Sequence, residues 1–209
     1  KLTEEFDNMI LEYLRRYPAT LYINFSSGAV YHISVNDIEP EHYYGIAKLH
    51  QEAKHRALKR YDIVDIRIFS YFSRFIELDS GYFLTELIKS LKKKKAFVTN
   101  SCDFVRDFLA PRDLFDLICL IIKARPFNGA IDAYSSRPVS KFGLLDYFVK
   151  NYSLKYTINK DLKLASPTGA KSRYCSSSRK AAALGYKPKF SSLKAVAMET
   201  KYMFGETDE

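Results

Sequence analysis

Glycine is scarce in this chain. Only eight of its 209 residues are glycine (Gly28, Gly45, Gly81, Gly129, Gly143, Gly169, Gly185 and Gly205), and no two stand within three residues of each other. That spacing excludes both GxGxxG and GxxxxGK[ST], so no segment of the chain can wrap a phosphate in a glycine-rich loop. Tryptophan is absent, which leaves aromatic burial to 16 Tyr and 15 Phe. The three cysteines (Cys102, Cys119, Cys175) are odd in number and far apart. They fit reduced thiols in a cytoplasmic protein and exclude a disulfide framework or a cysteine-based zinc site; no metal site is expected. No apolar stretch reaches the roughly 20 residues of a membrane span, and no signal peptide is expected. The chain opens on Lys1, not Met, so its natural start is expected to lie elsewhere.

What is present fits a folded protein. Apolar residues make up 47% and charged residues 27%, which excludes a disordered chain. Lys and Arg number 33 against 24 Asp and Glu, a formal charge of +9. Such a balance suits anionic partners, and phosphorylated small molecules are among them. Nucleic acid is disfavoured, because there is no CxxC…HxxxH module, no RNP-type aromatic run and no continuous basic helix. The run Lys92 to Lys95 is simplest as a solvated turn.

Periodicity sets out the elements. Residues 3–16 predict an amphipathic helix, with Phe6, Met9, Ile10, Tyr13 and Leu14 at helical spacing. Residues 20–26 (TLYINFS) predict a buried strand, 42–58 a helix and 62–70 a second strand. A strand, helix, strand order with this crossover makes the two strands parallel. Further on, helices are predicted at 81–92, 111–124, 139–150 (capped by Ser140), 177–184 and 191–203. Strands are predicted at 96–99, 104–108, 128–134 and 155–158, and a loop at 165–178. The fold class is α/β.

The pattern Tyr44-Gly45-Ile46-Ala47-Lys48 places a phenol and an ammonium at i and i+4, on one helix face. A free tyrosine has a pKa of about 10, and a nearby cation favours the phenolate. A tyrosine so tuned can exchange a proton with a secondary alcohol while hydride leaves or arrives. Tyr156 and Lys160 repeat the spacing, so spacing alone also allows a surface pair. Context separates the two. Tyr44 follows a buried strand ending in Ser26-Ser27-Gly28, and open parallel sheets place their sites at strand carboxyl ends. Ser27, Tyr44 and Lys48 can converge there.

TLYINFSSGAVY followed by YYGIAKLHQEA resembles the extended short-chain dehydrogenase/reductase family, the nucleotide-sugar epimerases and dehydratases. Four later segments resemble that family in the same order. They are Ile66-Arg67-Ile68-Phe69-Ser70, Phe104-Val105-Arg106-Asp107-Phe108 with Pro111-Arg112-Asp113-Leu114, Pro126-Phe127-Asn128 to Pro138-Val139-Ser140, and Arg179 through Pro188. The resemblance implies a partial Rossmann-like parallel sheet with a smaller C-terminal α/β substrate lobe. Residues 1–75 would be the second half of the nucleotide-binding domain and carry the site. Residues 76–209 would be mainly the substrate lobe, with 111–135 returning to the sheet. It implies Tyr44 as acid/base, Lys48 as its pKa-lowering partner and holder of the nicotinamide ribose, and Ser27 on the sugar oxygen. Ser70 would serve cofactor and substrate. Arg106, with Arg173 or Lys171, would bind the nucleotide diphosphate. A salt bridge from Arg106 to Asp107 or Asp113 is the structural alternative. NAD is favoured over NADP, a nucleotide-diphosphate sugar is the implied substrate, and polysaccharide biosynthesis is the implied setting. A homodimer through helices 3–16 and 42–58 is implied too, although those helices can also simply cover the sheet.

Departures narrow the chemistry. Where dehydratases of the family carry an Asp-Glu pair and decarboxylases a Glu, this chain has Gly28 and Ala29. Epimerisation or keto reduction is what remains. Ser70 stands where the family has Asn, Tyr71-Phe72-Ser73 follow it in place of Pro-Gly, and Ala133-Tyr134-Ser135 replace Gly-Ser-Gly. The family's pyrophosphate loop is missing, and with it about three βαβ units, roughly 100 residues. The chain is therefore expected to be a fragment that neither binds the dinucleotide tightly nor turns over substrate alone. The reading from a different class is a binding or scaffold protein that keeps the fold without catalysis.

Overall fold

A computed structural model of the chain describes residues 2–33, 36–162 and 171–205. The chain begins with α1 (Leu2–Arg16), β1 (Tyr22–Ser27), two 3-10 turns (Gly28–His32 and Pro40–His42), α2 (Tyr43–Ala57) and β2 (Ile63–Ile68). Then come β3 (Ser70–Tyr71), α3 (Phe83–Lys92), β4 (Phe97–Thr99), β5 (Val105–Arg106), β6 (Phe108–Leu109), α4 (Pro111–Lys123) and β7 (Gly129–Ala133). The chain ends through β8 (Val139–Ser140), α5 (Lys141–Tyr152), β9 (Tyr156–Ile158), β10 (Arg173–Tyr174), a 3-10 turn (Lys180–Leu184) and α6 (Ser192–Met203).

The central sheet has the order β1-β2-β7 and is parallel throughout. Side chains alternate across it, as the pleat requires. Val64, Ile66, Ile131 and Ala133 pack with Leu117 and Ile121 of α4. On the opposite face Ile63 packs with Leu11 and Leu14 of α1, and Asp65 and Arg67 bond to α2. A sheet with helices on both faces is the partial Rossmann-like arrangement. Ser27 pairs with Ile68, so it stands at the carboxyl end of the sheet. A second core, from Phe72 through Leu87, Phe148 and Val196, sits under α3, α5 and α6. A small three-stranded sheet (β10-β5-β8) and two strand pairs (β3-β6 and β4-β9) complete the fold. Among the described residues no helix is long and apolar enough to cross a membrane.

Several predicted elements differ from those observed. The apolar stripe predicted on α1 is largely outward: Phe6, Met9 and Tyr13 are exposed, while Asp7, Leu11 and Leu14 are buried. Strand 104–108 is split into β5 and β6, because the Asp107 carboxylate between them accepts the Ser135 N–H at 2.8 Å. Residues 139–140 pair with β5 before α5 begins, though Ser140 does cap that helix by accepting the Gly143 N–H. The helix predicted at 177–184 is only a 3-10 turn. Ser176 Oγ accepts the Ser178 N–H at 3.1 Å, and such local bonds compete with helix formation. The loop predicted at 165–178 includes β10, and residues 163–170 lie outside the described residues.

Candidate active site

β1 delivers Ser27 to the sheet edge, and the 3-10 turn starts on it: Ser27 Oγ accepts the Ala29 N–H at 3.2 Å. The first position of the turn leaves no space for a side chain. A Cβ on Gly28 would lie 2.3 Å from the Phe69 ring. On the facing helix a Cβ on Gly45 would lie 2.9 Å from the Ala29 carbonyl oxygen. This close approach seats the first turn of α2 against the turn after β1. Tyr44 and Lys48 then share the helix face at the same sheet edge. The Tyr44 ring is 47% exposed, open to an incoming ligand. The Lys48 ammonium donates to the Phe25 carbonyl at 2.9 Å, on the edge of β1 that no strand covers among the described residues. Burial pulls the Lys48 pKa below its ordinary value. The repeat of the spacing at Tyr156 and Lys160 has no such context, because Tyr156 opens a strand and the pair shares no helix face.

Glu52 continues the i+4 series of Tyr44 and Lys48 and locks it down. It is buried, accepts the Ser26 hydroxyl at 2.6 Å, and takes two nitrogens of the Arg67 guanidinium at 2.9 and 2.5 Å. Arg67 also donates to Tyr31 at 2.7 Å; Tyr31 donates to Asp132, which accepts the Ser176 hydroxyl at 2.7 Å. This chain of bonds ties α2, the turn, β2, β7 and the C-terminal segment to one another behind Ser27.

A basic group gathers on the other side. Arg106 is half-buried and its guanidinium finds no carboxylate among the described residues: it donates to the Val105 carbonyl and lies 4.5 Å from the Phe104 ring centroid. Asp107 and Asp113, its alternative partners, are taken by the N–H groups of Ser135, Lys189 and Phe190. Burial lowers the Arg106 pKa. The Lys171 ammonium stands 5.0 Å from the Tyr174 ring centroid, and His32 packs on that ring at 5.6 Å. Burial, then Lys171 and Arg106, push the His32 pKa down. Arg173 is exposed, since strand neighbours face opposite sides and Tyr174 faces inward. Of the two candidates for the second cation, Lys171 is the one beside Arg106. Ser70 is half-buried at the start of β3, paired with Phe108.

Sequence reasoning missed Tyr174, whose buried hydroxyl meets Ser27 Oγ at 2.9 Å and lies within electrostatic reach of Tyr44. No motif or period marks it. Glu52 was within reach of sequence reading, as the next i+4 step after Lys48.

A family profile described as "NAD dependent epimerase/dehydratase family" matches residues 5–132, more than half of the chain. The chain belongs to the NAD-dependent epimerase/dehydratase family. No curated protein matches it in sequence. Among solved structures, it is similar to the UDP-glucuronic acid 4-epimerase from Bacillus cereus, in complex with UDP-glucuronic acid and NAD. That match has a TM-score of 0.77 at 19% identity and covers 96% of this chain and 67% of that one. It is similar to the UDP-N-acetylglucosamine 4-epimerase from Methanobrevibacter ruminantium, with a TM-score of 0.75, 15% identity and coverage of 96% and 68%. It is also similar to the dTDP-glucose 4,6-dehydratase from Bacillus anthracis in complex with NAD, with a TM-score of 0.73, 13% identity and coverage of 97% and 67%. At these identities the likeness establishes the fold. This member of the family spans about two thirds of the length of those chains.

Proposed function

We propose that this chain carries the reacting edge and the sugar-nucleotide lobe of an NAD(P)-dependent nucleotide-sugar epimerase. Tyr44 takes the proton of a sugar hydroxyl and later returns it to the opposite face's product. Ser27 hydrogen-bonds the reacting oxygen. Lys48 holds the nicotinamide ribose beside Tyr44, and Ser70 borders both ligands. Arg106, with Lys171, binds the diphosphate of the substrate; Arg173 is the outer alternative. A bound NAD, favoured over NADP, supplies the hydride acceptor and donor. The donor set fits the ribose end of such a cofactor: an exposed phenol and an ammonium one helical turn apart at a strand carboxyl end. It does not fit the pyrophosphate end, because none of the 209 residues forms a glycine-rich loop. This reading therefore assigns the pyrophosphate to protein outside the chain. Residues 1–75 and 111–135 make the sheet side and the remainder the substrate lobe.

The observation that supports the reading is the placement of Ser27 at the carboxyl end of β1 with Tyr44 and Lys48 one turn apart on α2, and with no acid at positions 28 and 29. Gly28 and Ala29 supply none of the carboxylates that dehydration needs, and the Phe69 ring lies where a Cβ on Gly28 would stand. Keto reduction uses the same residues, and the two are separated by whether the hydride is first taken from the sugar or is drawn from a reduced cofactor that is consumed. The exposed stripe of Leu2, Phe6, Met9 and Tyr13 on α1, beside exposed Tyr43 and Leu49 on α2, supports pairing of two copies through these helices.

The test is turnover of UDP-, GDP-, CDP- and dTDP-sugars by the full-length product, with the isolated chain in parallel. Tyr44→Phe is expected to lower the rate by roughly 100-fold or more. An unchanged rate refutes the mechanism. Tight NAD binding by the isolated chain, measured by calorimetry, refutes the assignment of the pyrophosphate elsewhere.

A further inference from the structure

Ser27 and Tyr174 are both buried, and their hydroxyl oxygens lie 2.9 Å apart. The pair holds two hydroxyl protons, and one lies between the oxygens. The other has no acceptor among the described residues. Which oxygen keeps it follows from the chemistry. A phenol is more acidic than an alkyl hydroxyl, and its lone pair is delocalised into the ring, so it is the better donor and the poorer acceptor. Ser27 Oγ also accepts the Ala29 N–H at 3.2 Å, so with Tyr174 donating, both of its lone pairs are filled and its own proton is left over. Tyr174 therefore donates to Ser27, and the spare proton belongs to Ser27. Burial holds the Tyr174 pKa above its ordinary value, which keeps the phenol protonated and a constant donor.

The Tyr174 ring is fixed in place. It packs on Phe69 at 5.3 Å and on His32 at 5.6 Å, under the Lys171 ammonium at 5.0 Å. Its strand, β10, pairs Tyr174 with Arg106 on β5. One strand pair thus holds both the unpaired guanidinium and the group that meets Ser27.

We propose that Tyr174 is a positioning residue for Ser27: its phenol fills the acceptor side of Ser27 and turns the Ser27 proton toward the reacting oxygen of the sugar. This rests on the reading of Ser27 given above. It also joins the two halves of the site. A substrate diphosphate drawn to Arg106 and Lys171 presses on the same segment that orients Ser27.

The bond is testable without turnover. A fluorinated tyrosine placed at position 174 of the full chain lowers the phenol's ionisation into a range where the fold survives, and fluorine NMR follows it with pH. The Ser27 hydroxyl can turn to donate to the phenolate, so Ser27→Ala is expected to raise the measured pKa at 174. Ser27→Thr keeps the hydroxyl and is expected to leave it in place. No change in Ser27→Ala overturns the proposal, because no bond would exist. In the turnover assay Tyr174→Phe is expected to lower kcat about tenfold, the equivalent of one hydrogen bond, with KM nearly unchanged. An unchanged kcat overturns the proposal. If the wild-type protein turns over no nucleotide sugar, the functional reading fails, while the fluorine titration still decides the pairing.

Discussion

Replacing His55 with Gln tests the most demanding piece of architecture in the molecule. His55 and Asp65 are completely buried and Asp7 is 1% exposed. Nε2 of His55 lies 2.8 Å from Asp7 and Nδ1 lies 2.8 Å from Asp65. A carboxylate only accepts, so both ring nitrogens carry protons and the side chain is an imidazolium. The remaining partners face the same cluster. From α2, Gln51 and Lys54 bond Asp7, and Arg56 bonds Asp65. From β1, Asn24 bonds Asp65 at 2.6 Å, and the Tyr22 ring packs edge-on against the imidazole. Burial opposes the charge on His55, but the bonds to Asp65 and Asp7 outweigh it and raise its pKa. Burial likewise opposes charge on Asp7, yet the bonds from His55, Lys54 and Gln51 bring it down to about 2. Breaking a buried pair from one side costs about 3–5 kcal/mol. Each carboxylate keeps other donors, so Gln is expected to cost about 3 kcal/mol, or roughly 6–12 °C in Tm. The sign with pH is fixed. A raised histidine contributes fully below its unfolded value of about 6.5 and fades as pH rises through the folded value. The gap between wild type and His55→Gln should therefore be widest near pH 5–6 and narrow in alkali. Asp7 adds a separate loss in acid, as pH falls from about 3.8 through about 2. Urea unfolding from pH 5 to 9 reads this directly. A gap that stays constant with pH, or that stays below about 1 kcal/mol, refutes the imidazolium clamp.

Gly45→Ala drives a methyl against the Ala29 backbone carbonyl, which cannot rotate away; it should cost about 1–3 kcal/mol by thermal unfolding and loosen the Tyr44 edge. Arg106→Leu should weaken calorimetric binding of a nucleotide-diphosphate sugar by roughly tenfold to a hundredfold. The same change should leave stability unchanged or improved, because the guanidinium is desolvated with no counter-charge among the described residues. Phe6→Glu with Met9→Glu should convert a dimer to a monomer by light scattering at unchanged Tm, and a species of unchanged mass refutes pairing through α1.

Local features of this site were legible in the sequence, and partnerships across the fold were not. β1 and β2 announce themselves by their β-branched and aromatic runs, and their parallel pairing follows from the helical crossover between them. Tyr44 and Lys48 are four residues apart, a relation that a helix enforces without help from the rest of the chain. The Tyr174 bond to Ser27 spans 147 residues, and the His55 bond to Asp7 spans 48. Nothing periodic relates such positions; only the completed fold brings them together. The α1 stripe failed for a different reason. Hydrophobic spacing identifies an apolar face but does not say whether the sheet or another surface receives it. Here the sheet side was marked by a charge, Asp7, because His55 waits beneath it.

That placement explains how one helix can serve both the proposed chemistry and support. Residues 44, 48 and 52 form one line along α2, and 51 and 55 form the next. Tyr44 and Lys48 stand on the first half of α2, whose opening turn rests against the Ala29 backbone through Gly45. Glu52 pins the middle to β1 and β2 through Ser26 and Arg67, and His55 pins the far end to α1 and β2 through Asp7 and Asp65. With two buried charged anchors one turn apart, α2 can neither slide nor roll by a residue without stranding a carboxylate in the core. The position of the Tyr44 phenol relative to Ser27 is therefore set by residues that never touch a ligand. Changes at Glu52 or Arg67 should act on the geometry of proton transfer before they act on the binding of substrate.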